Sequence, residues 1–160
     1  MDLMKTEIGV VLNRSRMMLN MRSIWLAVFS EPAFKTQILD WIRQDQLFQR
    51  GIDGDGDIIG LYSEFTEMIN PEKVAGTPYT LFDSGAFYRS MFITIGIGSD
   101  PSITIDADPI KIDDDGEKTN LFWKYGENIV ALTDENKTKL ANEIRDRFIR
   151  ESRRILFDNR

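Results

Sequence analysis

The apolar positions of this chain fall into three kinds of pattern. Between about Lys5 and Phe29 they recur at Ile8, Val11, Leu12, Met18, Leu19, Ile24 and Val28, a helical spacing with a break near Asn20. Ser30 and Pro32 then form a helix start, since serine caps and proline suits a first turn. Phe34, Ile38, Trp41, Ile42 and Phe48 predict one face of a second helix, which Gly51 ends. From Phe92 the period changes to two. Ile93, Ile95 and Ile97 alternate with Thr94 and Gly96, and Ile103, Ile105 and Ala107 alternate with Thr104 and Asp106. Gly98-Ser99-Asp100-Pro101 between them is turn chemistry, so a β-hairpin is expected over about 91–107, with a third short strand around Ile110 and Ile112. Helical spacing returns at Leu140, Ile144 and Phe148. Thr133 is the expected N-cap of a helix over about 133–157, with Asp134 and Glu135 at its positive end and Arg150, Arg153 and Arg154 toward its negative end.

The segments between are less regular. Asp53-Gly54-Asp55-Gly56-Asp57 predicts a tight loop, and Ile58–Tyr62 a short strand or extended run. Pro71, Gly76 and Pro78 make 63–82 an expected irregular surface connection. Asp83 or Ser84 caps a helical turn through Phe87 and Tyr88. The fold class expected is α+β: long helices packed on a small antiparallel sheet. The domain division is a helical arm over 1–23 and a single domain over 24–160.

Composition narrows the chemistry. The chain has 160 residues, a net charge of -6, no Cys and no His. The two absences remove thiolate nucleophiles, the commonest zinc ligands and the usual general base. The acidic balance disfavours general nucleic-acid binding. The most apolar run, Ile24–Phe29, is too short to span a bilayer, so no membrane segment is expected.

Carboxylates are the remaining candidates. Asp53, Asp55 and Asp57 have the spacing of the first three ligands of a calcium-binding EF-hand loop, with Glu64 at the final ligand position. Ile58 stands where that loop needs glycine, and no exiting helix is expected at Glu64, so a solvated turn is the preferred reading. Asp106, Asp108, Asp113, Asp114, Asp115 and Glu117 form a second acidic run, which a metal-dependent hydrolase would need to converge with other carboxylates. Adjacent residues point in different directions, so an exposed turn is again preferred. The charges are also segregated: residues 100–117 hold seven acids and one Lys, and residues 137–154 hold seven cations. Asp106, Asp108, Asp113 and Asp114 on one side, and Arg147, Arg150, Arg153 and Arg154 on the other, either are solvated faces or meet head-to-tail between neighbouring subunits. The aromatic residues, among them Phe82, Phe92 and Trp123, are read as core in preference to a docking patch, which Leu121-Phe122-Trp123 beside Lys124-Tyr125-Gly126 would also suit.

Several segments resemble a family of small virion proteins from tailed phages of Bacteroides-type hosts, crAss-like phages included. They are Gln46–Asp53, Tyr62–Thr66, Tyr79–Tyr88, Ile105–Pro109, Tyr125-Gly126 and Leu132–Asn136. Leu81-Phe82-Asp83-Ser84-Gly85-Ala86-Phe87-Tyr88 matches the family's pattern of leucine, any residue, Asp, Thr or Ser, Gly, any residue, Phe and Tyr, and it is the order and spacing of the segments together that carry the resemblance. The resemblance runs from about Ile24 to Ile155. It implies a structural subunit of a neck or head–tail connector ring, or of a tail-completion or tail-terminator ring. It further implies a homo-oligomer with portal, connector and tail proteins as neighbours, DNA in passive contact at most, no catalytic residue and no cofactor. Its implied place is the virion, after assembly in the host cytoplasm.

Overall fold

A computed structural model describes residues 21–97, 101–113 and 116–157. The expected arm over 1–23 lies outside the described residues as far as position 20, as do the hairpin turn 98–100 and Asp114. Among the described residues, 21–30 are helical (α1) and bury Ile24, Val28 and Phe29. Ser30 does not cap the next helix as expected. Its hydroxyl donates back to the Ala27 carbonyl (2.8 Å) and closes α1, while Glu31 takes the N-cap position of α2 without a side-chain bond.

Helix α2, Pro32–Asp40, buries Phe34, Ile38 and Leu39. It continues over Trp41–Arg50 in the wider winding of a π-helix, which buries Ile42, Gln46 and Leu47. The five-residue step from Ile42 to Leu47 matches that winding, since each turn holds an extra residue. The same shift turns Phe48, expected on the inner face, outward to 48% exposure. Gly51 ends the helix in the left-handed conformation, φ +60°. A Cβ there would lie 2.4 Å from Pro78 Cβ and 2.7 Å from the Tyr79 carbonyl, so both backbone angle and space require glycine.

After the acidic loop the chain is extended, with isolated bridges at Ile52–Ile58 and Leu61–Pro78. The connection over 63–82 is not wholly irregular: helix α3 spans Glu64–Ile69, and Ser63 Oγ accepts the Thr66 N–H (3.2 Å) as its cap. Helix α4, Ala86–Ser90, starts where Ser84 Oγ accepts the Ala86 N–H (3.3 Å).

Strands β1, Phe92–Gly96, and β2, Ser102–Asp106, form the expected hairpin, with Ile93 opposite Ile105 and Ile95 opposite Ile103 on the core side. Strand β3, Ile110–Ile112, does not extend that sheet. It pairs with β4, Lys118–Asn120, as a second, separate antiparallel hairpin. Helix α5, Leu121–Tyr125, and a 3-10 turn, Glu127–Val130, lead into the long α6, Asp134–Phe157. Thr133 caps α6 as expected, its Oγ1 accepting the Asn136 N–H (3.3 Å).

Helix α6 packs Leu140, Ile144 and Phe148 on the core, where Phe148 meets Trp25 with ring centroids 5.6 Å apart. One polar node sits inside that packing. Gln46 is fully buried, donates to the Ala131 carbonyl (2.9 Å), and accepts from the Thr133 N–H (3.0 Å) and from Asn136 Nδ2 (2.8 Å). A single side chain thereby ties the π-helical segment to the start of α6, through buried bonds to Thr133 and Asn136 and a half-buried one to Ala131.

Candidate interaction surface

The aspartates singled out in the sequence act mostly on their own backbone. Asp53 Oδ1 accepts the N–H groups of Asp55 and Asp57, both at 3.0 Å. Asp55 Oδ2 accepts from Asn128 Nδ2 (2.6 Å), and the Gly54 N–H reaches the Asn128 carbonyl (2.9 Å), so the loop is docked on the 3-10 turn. Asp57 is exposed. Helix α3 does begin at Glu64, contrary to expectation, yet among the described residues no three carboxylates gather as a metal-binding group.

Asp106 and Asp108 are exposed and shape the turn between the two hairpins. Asp106 Oδ1 accepts the Ala107 N–H (2.8 Å), and Asp108 Oδ1 accepts the Ile110 N–H (3.0 Å). Asp113 pairs with Lys111, and Asp114 lies outside the described residues. On α6, Arg150, Arg153 and Arg154 are exposed, and Arg150 and Arg154 pair with Glu151. Arg147 differs from its expected role. Its guanidinium lies 4.1 Å from the centre of the Phe34 ring and pairs with Glu31 and with Glu143, so it is engaged inside the protomer.

The feature that the sequence reading missed is α3. Phe65, Met68 and Ile69 sit one helical turn apart on a single face and are 70%, 81% and 70% exposed. No residue of the helix is buried. Its inward side is polar: Thr66 lines a groove, and Glu67 Oε2 accepts the Ala75 N–H (3.1 Å). The usual amphipathic arrangement is inverted, with the apolar face toward solvent. Six residues also form too short a helix to be stable alone. Trp123, read as core, is 90% exposed, because α5 turns Leu121 inward and Trp123 away; Phe82 and Phe92 are also outside, at 42% and 50%.

Beside α3 lies a groove of about 520 Å³, lined by Tyr62, Leu81, Phe87, Ile110, Lys111 and Tyr125 among others. The irregular strap through Tyr79–Phe82 forms one wall. Leu81 holds a left-handed φ of +53°, which the flanking bonds fix: the Thr80 N–H donates to Tyr62 Oη (3.2 Å), the Phe82 N–H to Thr80 Oγ1 (3.2 Å), and Tyr88 Oη to the Thr80 carbonyl. Burial pushes the Tyr88 phenol well above its usual range, so it stays a donor there.

An ion cluster joins the strap to the second hairpin. Lys111 Nζ lies 3.1 Å from Asp83 Oδ2 and also pairs with Asp113; Lys73 Nζ is 3.9 Å from Asp83 Oδ1. The hydrogen bond from Lys111 holds the Asp83 carboxyl below the usual carboxylate range, against the opposing effect of partial burial. For Lys111, desolvation acts to lower the ammonium, but its bonds to Asp113 and Asp83 outweigh that and leave it above its usual value. Because the native Asp83 carboxyl titrates below the unfolded one, its stabilisation is present above about pH 4 and is lost as pH falls through the native value. Lys111 contributes below its unfolded value and loses that contribution as pH rises through its raised native value. The expected result for Asp83→Asn is a lower melting temperature than the parent at pH 7 and a difference that narrows as pH falls below about 4. Parallel melts of both proteins across that range check it; a constant difference would show that the carboxylate's charge is not what stabilises the strap.

Family models, curated proteins and solved structures yielded no match to this chain. Among the described residues, no helix is long and apolar enough to cross a membrane.

Proposed function

We propose that the chain is a non-enzymatic virion subunit that closes a ring at the neck of a tailed phage, as a head–tail connector or as a tail-completion or tail-terminator component. The observation that carries the reading is the inverted α3, whose Phe65, Met68 and Ile69 face outward from a helix with no buried residue. Such a face is costly in isolation and gains about 1–2 kcal/mol per side chain when a neighbour covers it. The turn-building use of Asp53, Asp106 and Asp108 fits a scaffold rather than a catalyst. The resemblance over about Ile24–Ile155 points to the neck, and its segment Leu81–Tyr88 lies in the strap and α4, which line the groove beside α3.

A closed ring needs two different faces on each protomer that fit each other head-to-tail. The α3 face is one; the exposed Arg150, Arg153 and Arg154 and the acidic turn at Asp106 and Asp108 offer charges that set the register of others. The subunit would work by assembly between portal and tail proteins, leaving a channel in which an acidic wall lets DNA slide without binding. Electron micrographs of the purified chain test the reading. Closed rings with a central opening are expected; open filaments or dispersed protomers only would overturn it.

A further inference from the structure

We infer that residues 1–20 of a second copy of this chain cover the outward apolar face of α3. The inference rests on the ring reading and names the partner of its contact site. Three observations favour this occupant. Residues 1–20 carry their own apolar stripe at Met4, Ile8, Val11, Leu12, Met18 and Leu19, at the i, i+3, i+4 steps that match a helical face such as Phe65-Met68-Ile69. The charges are complementary. Residues 53–72 hold six acids and no Lys or Arg, whereas residues 1–20 hold Lys5, Arg14 and Arg16 against Asp2 and Glu7. The segment is long: twenty residues span about 30 Å as a helix and at most about 70 Å extended.

Methionine on both sides suits a contact that must adapt, since Met68 on α3 would meet a segment that itself carries methionines, and the thioether side chain fills irregular gaps. The contact is head-to-tail by construction, because each protomer gives its amino-terminal segment to one neighbour and receives another on α3. Repeated around a ring, it closes without leaving an apolar face uncovered.

The chain has no cysteine, so introduced ones report single contacts. Full-length Val11→Cys and Met68→Cys variants, carrying different tags, are co-expressed and mildly oxidised. A disulfide between the two variants is expected, at least tenfold more abundant than one between Val11→Cys and the control Thr138→Cys on exposed α6. A single chain carrying both Val11→Cys and Met68→Cys is expected to give interchain ladders. Closure within that one chain would overturn the inference in favour of the protomer's own segment. Met68→Cys homodimers would overturn it in favour of two α3 faces meeting. Absence of any disulfide in particles that still have ring mass would overturn the inference and leave the ring reading standing; absence together with a protomer mass would overturn both.

Discussion

Gln46→Met is expected to lower the free energy of unfolding by about 3–5 kcal/mol, although it keeps the length and most of the volume of the side chain. The substitution removes three bonds at once. It leaves the Ala131 carbonyl, the Thr133 N–H and Asn136 Nδ2 inside a core where Gln46 itself is 0% exposed and Asn136 is 1% exposed. Each buried group left without a partner costs about 1–3 kcal/mol, which sets the range. Asn136→Ala removes only one of the bonds to Gln46 Oε1 and is expected to cost about 1–2 kcal/mol. Urea unfolding followed by helical circular dichroism measures both. A loss below about 1 kcal/mol for Gln46→Met would mean that the node does not hold the π-helical segment to α6.

Replacing Phe65, Met68 and Ile69 together with glutamine is expected to do the opposite: leave the fold intact and dissolve the assembly. The three side chains bury little surface inside the protomer, being 70–81% exposed, and glutamine is a good helix former, so the melting temperature of the dilute protein should move by no more than a few degrees. Between subunits, losing three apolar contacts removes about 4 kcal/mol, roughly a thousandfold in Kd. Sedimentation of parent and variant at matched concentrations reads the change. A variant that sediments as the parent does would show that α3 is not a contact face. A variant that melts far lower would show that the apolar face is covered within its own protomer.

The contrast between these two sites marks what the sequence could and could not reveal. Periodicity located the helices around Phe34–Ile42 and Leu140–Phe148 and the hairpin of β1 and β2, because in each the apolar residues face one core. It misplaced Phe48, because a regular α-helical step was assumed where the winding widens at Trp41. The pairing of β3 with β4 was hidden by the polar run Lys118-Thr119-Asn120, which has no alternation to read over three residues. Helix α3 escaped because Pro71, Gly76 and Pro78 suggested an irregular stretch, although Ser63 and the spacing of Phe65, Met68 and Ile69 carry a helix signature. The direction of its apolar face was beyond reach in any case, since spacing identifies a face but not which side of it meets solvent. Arg147 was misjudged for a related reason. A charged residue in a basic run reads as surface, yet the ring of Phe34 and the carboxylate of Glu31 draw it inward from helices far away in sequence.

Light scattering on the purified full-length chain over a wide concentration range is the most direct test of action through self-assembly. The account predicts one defined species whose mass is a fixed multiple of 18.5 kDa and which persists on dilution. A mass of 18.5 kDa at every concentration would contradict it.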